Sequence, residues 1–149
     1  MNNLFRIEDA GNIVVRLSHL TPTTEALWGK MSVAQMLAHC QVPLQVALGE
    51  KQLKRTLIGW LFGGLAKNQM LSEKPLKKNL PTDASFIIKD SRDFTVEIQE
   101  LESLIQRFAA TDPDLIAKKS HPFFGKMTPE EWGTLSWKHL DHHLRQFGV

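Results

Sequence analysis

A single cysteine, Cys40, rules out any disulfide within the chain and points to a reducing, cytoplasmic setting. Long hydrophobic runs are also missing. The longest, Leu57 to Ala66, is about half of the ~20 residues a bilayer-spanning helix needs and is broken by Gly59, Gly63 and Gly64. The opening residues do not combine a basic start, an apolar run and a small-residue cleavage site, so neither a secretory leader nor a membrane is expected. Charge of one sign is scarce as well. The formal net charge is only +2 and the basic residues are scattered, which leaves no electrostatic footprint for nucleic acid. The one local run, Lys74, Lys77 and Lys78 around Pro75 and Leu76, reads as solvated loop surface.

What is present is ordinary globular material. With 149 residues, of which 42% are apolar and 23% charged, the chain can bury roughly two thirds of its unfolded surface, and one domain over residues 1–149 is expected. From Asp9 to Leu20, apolar Ile13, Val14, Leu17 and Leu20 recur at helical spacing. Thr21 to Lys30 has the composition of a connection, with Leu27 and Trp28 as anchors onto the core. Ser32 and Gln35 have capping-box spacing and Gly49 supplies a stop, so a second helix is predicted from Val33 to Leu48. Pro43 lies inside it and leaves the carbonyl of His39 without its usual donor, which predicts a bend there.

Leu53 to Lys67 is leucine-rich, with Trp60 and Phe62, but its glycines leave a short helix or a mobile segment open. Residues 68–90, with Pro75 and Pro81, read as a long irregular connection between the middle helices. Phe94, Ile98, Leu101, Ile105 and Phe108 then form the clearest apolar stripe, with Glu97, Gln99, Glu100, Glu102 and Gln106 assigned to the other faces. After a break at Thr111, Asp112 and Pro113, Thr128, Pro129 and Glu131 open a last helix that runs to about Phe147. The fold class is therefore all-α.

Chemistry concentrates on that last helix. His139 and His143 are four residues apart and project from one face, along which Trp132, Leu135, Ser136 and Gln146 continue inward. Such a pair does not make a metal site without a third ligand. His39, beside Met36, Leu37 and Cys40, is the natural third, although a hydrogen-bonded core histidine reads the same way. His142 points about 100° round the helix from His143, toward an outer shell or the surface. Gln146 and Gln35 are placed to orient the ligating rings, and packing at the rim accounts for both equally well. Glu130 and Glu131 belong to the helix start, and Cys40 reads as a small core residue.

The tail His139-Leu140-Asp141-His142-His143-Leu144-Arg145-Gln146 resembles the H-x-x-H-H-x-x-Q signature that closes the metal site in the DinB-like superfamily. Trp28 to Ser32 followed by Gln35 to His39 resembles that superfamily's entry into its second helix. The similarity covers essentially the whole chain and is nearest to an uncharacterised branch in which His121-Pro122-Phe123-Phe124-Gly125-Lys126 precedes Thr128 to Trp132. It implies a four-helix bundle with His39, His139 and His143 as ligands to a divalent ion, water or substrate completing the shell. One departure is clear: the commoner signature has arginine and glycine directly after the paired histidines, where this chain has Leu144 and Arg145.

Three neutral imidazoles suit zinc, nickel or ferrous iron, and three protein ligands with open positions suit catalysis better than a structural ion. The resemblance implies a metal-dependent enzyme that activates a low-molecular-weight thiol for transfer or isomerisation. Hydrolysis by metal-bound hydroxide stands behind it. The alternative is a non-catalytic metal-binding or ligand-binding bundle. Trp28, Trp60, Trp132, Trp137 and the pair Phe123 and Phe124 are read as core, pocket or subunit contact, and the resemblance implies a homodimer.

Overall fold

The computed structural model describes residues 1–53, 57–80 and 84–149, and of residues 57–62 and 65 only the backbone. Six helices are described: α1 (Ile7–Leu17), α2 (Val33–Leu48), α3 (Leu57–Met70), α4 (Phe94–Ala110), α5 (Pro113–Ala117) and α6 (Pro129–Gln146). A 3-10 turn at Ala84–Phe86 precedes α4, and a two-stranded antiparallel pair, β1 (Ser120–His121) and β2 (Gly125–Lys126), precedes α6. The molecule is thus mostly helical. No helix among the described residues is long and apolar enough to cross a membrane.

The helix starts are set by local chemistry. Ser32 and Gln35 close a reciprocal capping box at α2, as do Thr128 and Glu131 at α6, and Asp93 accepts from Val96 N–H at α4. Gly49 ends α2 with φ +82°, a conformation that costs glycine nothing. The helix continues unbroken through Pro43. The glycine-rich stretch before residue 70 is helical, three residues further than its composition marks. The side chains of Trp60 and Phe62, and Pro81 as a whole, lie outside the described residues.

The core is built where α1, α2, α4 and α6 meet. α2 packs along α4 over the largest contact, while α1 lies against both α4 and α6, and α2 also touches α6. Ile13 and Leu17, Met36 and Leu37, Leu101, Leu104, Ile105 and Phe108, and Trp132, Leu140 and Leu144 are buried together. Each such side chain removes apolar surface worth about 1.5–3 kcal/mol from water. Arg16 ties α1 to α6 through Asp141 at 2.8 Å, and Leu4 N–H donates to the Gly133 carbonyl.

Four expectations change. α1 begins at Ile7 and ends at Leu17, so Leu20 is buried from the connection and not from the helix. Leu27 is no anchor: its side chain is 70% exposed, and it is its backbone N–H that binds, to the Gln146 carbonyl. Glu97 is not on a solvent face, because Gln41 reaches it from α2 at 2.6 Å and Arg92 at 3.3 Å. Residues 113–126 are ordered structure where only a break was expected. There His121 Nδ1 accepts both Phe123 N–H and Phe124 N–H at 3.1 Å, which closes the turn between β1 and β2, and its ring lies against Phe124 and Trp132.

Candidate metal centre

α2 presents His39 from its middle, and α6 presents His139 and His143 from successive turns of its inward face. The three rings form a nearly equilateral triangle. Centroids are 5.0 Å apart for His39 and His139, and 4.7 Å for each of the other two pairs. One ligand atom from each ring lies within 4.8 Å of the others. The sequence reading named these three residues, and the fold brings them together.

Hydrogen bonds on the far side of two rings fix which nitrogen faces inward. His39 Nδ1 lies 2.9 Å from the Phe86 carbonyl oxygen. A carbonyl only accepts, so Nδ1 carries the proton and Nε2 holds a lone pair. For His143 the chain of bonds is one step longer. Gln146 Nε2 donates to the Trp28 carbonyl at 2.6 Å, so its Oε1, 2.8 Å from His143 Nδ1, must accept from that ring. His143 Nε2 is thereby left with a lone pair.

Between the rings, His39 Nε2 and His139 Nε2 are 3.1 Å apart. Two tetrahedral ligands at zinc–nitrogen distance stand about 3.3 Å apart, so the spacing suits an ion as well as a hydrogen bond. With His39 Nδ1 protonated, this contact is a hydrogen bond in which His139 Nε2 donates to His39 Nε2.

Electrostatics keep all three rings neutral, the form a metal needs. Burial lowers His39, with the Phe86 carbonyl opposing. Burial also holds His143 down to about 3, helped by His39. His139 is well below the usual imidazole range, first by burial and then by the charges of His143, His39, His142 and His121. Among the described residues the donor set is all nitrogen and without a carboxylate, which fits a borderline metal better than magnesium or calcium.

The supporting shell differs in part from expectation. Gln146 orients His143 as its spacing suggested, but Gln35 does not orient His39. Its side chain is spent on the Ser32 N–H and the Asp90 carbonyl, and the Phe86 backbone takes that duty. The residue is distant in sequence and acts through its main chain, so no side-chain signal marks it. His142 is half-buried between Trp28 and His143, at 5.8 and 5.0 Å between rings. Burial pushes the Cys40 thiol up, and its Sγ meets only Met36 Sδ among the contacts described, as befits a core residue. Glu131 caps α6 and pairs with Lys67 at 2.8 Å.

A mostly helical chain with a buried histidine triangle is the class that fold and site define. The chain belongs to the family described as "Protein of unknown function (DUF1569)", whose model matches residues 2–148. No curated protein and no solved structure matches it.

Proposed function

We propose that His39, His139 and His143 hold one divalent ion, zinc, nickel or ferrous iron, within a DinB-like four-helix bundle made by α1, α2, α4 and α6. On this reading the protein is a metal-dependent enzyme acting on a small molecule. A low-molecular-weight thiol in S-transfer is the leading class, with related isomerisation or hydrolysis next. When bound, the ion supplies a Lewis acid that lowers the pKa of a coordinated water or thiol. The chain's own part is to aim two preset lone pairs at it, from His39 and His143, and to keep the rings unprotonated.

The observation that carries the reading is the pair of outer hydrogen bonds, Phe86 carbonyl to His39 and Gln146 to His143. Fixing an imidazole from its far nitrogen is what outer-shell groups do at metal sites. Mass spectrometry of untagged protein tests it. About one ion per chain is expected in the parent and none in His39→Ala or His143→Ala after the same purification. A parent that stays metal-free after loading with zinc, nickel and ferrous iron removes the enzyme reading.

A second reading rests on the 3.1 Å contact between His39 and His139, which gives the Nε2 of each ring a partner without an ion. The triangle then belongs to a non-catalytic binding module or holds only a stapling metal. A stapling ion should unfold the bundle when a chelator removes it, whereas a catalytic ion leaves the apo fold largely intact. Thermal melting with and without chelator separates the two.

A further inference from the structure

Beside the histidine triangle lies a cavity of about 210 Å³, between the second half of α6, the turn at Pro75 to Lys78, and Trp28. Its walls are pinned. Lys138 donates to the carbonyls of Ser72 and Lys74, which fastens the incoming turn to α6. His142 bonds the backbone of Leu76, and the Trp28 carbonyl is held by Gln146. Gln146 thus serves both this wall and the ring of His143.

The lining of the cavity combines apolar side chains with Lys78, Arg145, Asp141 and His142. Trp28, Pro75 and Leu76 supply its apolar surface, and Lys78 Nζ stands 4.3 Å above the Trp28 ring. Arg145 reaches Asp141 only at 3.7 Å, and that carboxylate is already engaged by Arg16 at 2.8 Å. Two cations thus face the cavity against one shared anion, which leaves room for one further negative charge. The volume is below the ~300 Å³ at which pockets for drug-sized ligands begin.

We propose that this cleft binds the carboxylate of a small organic acid whose flat or short aliphatic body lies against Trp28, Pro75 and Leu76, with Lys78 turning from the indole to pair the charge beside Arg145. The ring of His142 is the partition between the cleft and His143, so a molecule anchored here sits one ring away from the triangle. The cleft's role as the anchor for a substrate rests on the metal reading above. The binding of a carboxylate does not.

Titrating benzoate into nitrogen-15-labelled protein tests this, with the Trp28 indole and the amides of Leu76, Lys78 and His142 as reporters. Benzamide and phenyl phosphate run beside it as the neutral and phosphate counterparts. Saturable shifts with benzoate alone are expected, both as purified and after chelation. Lys78→Gln and Arg145→Gln should each weaken binding about tenfold. Equal shifts with benzamide, tighter binding of phenyl phosphate, no shift at the reporters, or unchanged affinity in both variants would each overturn the assignment. Because chelated protein is included, loss of the metal reading and loss of this one show up in different experiments.

Discussion

Outside the three rings, Gln146 ties two parts of the site together. Its amide joins the Trp28 carbonyl to His143 Nδ1, and a Cβ placed on Gly29 would run into it. Gln146→Leu keeps the volume and removes both bonds. Metal affinity should fall about 10–100-fold by chelator competition, because His143 is free to turn or change tautomer. Gln35→Ala is the matched control: it loses part of a helix cap, about 1 kcal/mol, and should leave metal affinity unchanged. Equal losses in both variants would mean that general destabilisation, and not ring orientation, is being read. Gly29 itself sits at φ +86°, so Gly29→Ala adds backbone strain of about 1–3 kcal/mol and displaces the amide beneath it. A drop in both urea midpoint and metal affinity is expected there, and metal affinity at the parent level would show that Gln146 has room to move aside.

At the scale of elements, what was legible in the sequence was local. Ser32 with Gln35, Thr128 with Glu131, and the stripe from Phe94 to Phe108 act over three or four residues; α2 and α6 lie within a residue of where those signals put them, and α4 runs two residues past its stripe. The candidate triangle was legible for a different reason: four-residue spacing puts His139 and His143 on one face, and apolar neighbours turn His39 inward. What could not be read depends on distant partners. Glu97 looks like any solvent-facing acid on an amphipathic helix until Gln41, 56 residues away, is seen to claim it. Phe86 serves His39 through a carbonyl that every residue has, and His121 closes its turn through a ring nitrogen that composition cannot assign. Glu97 therefore offers a test of the α2–α4 seam. Glu97→Ala removes the charged acceptor of the Gln41 amide, which keeps only the backbone carbonyl of residue 97, and should cost about 1.5–3 kcal/mol in urea unfolding. Exposed Glu100→Ala should stay within about 0.5 kcal/mol. Similar small costs at both positions would refute the burial of the Glu97 contact.

For the whole molecule, the buried histidines make acid the weak side of the metal-free protein. His121 shows the sign most simply. Burial lowers its pKa to about 4, and its Nδ1 is occupied as an acceptor for two backbone N–H groups. The unfolded ring titrates near 6.5. Between about 6.5 and 4 the unfolded chain holds a proton there that the folded chain refuses, so stability rises with pH across that window and is lost as pH falls. The depressed rings of His39, His139 and His143 add to the same slope and extend it further into acid. His121 alone accounts for up to about 3 kcal/mol, at 1.36 kcal/mol per pH unit. His121→Asn places an oxygen near the position of Nδ1, keeps an acceptor for the turn, and cannot titrate. Urea unfolding of chelated protein from pH 7 down to pH 4 should show a steep fall for the parent and a shallower one for the variant, by roughly one proton's worth of slope. An unchanged slope would mean that His121 is protonated without disturbing the fold, and that its hold on the turn before α6 does not depend on the neutral ring.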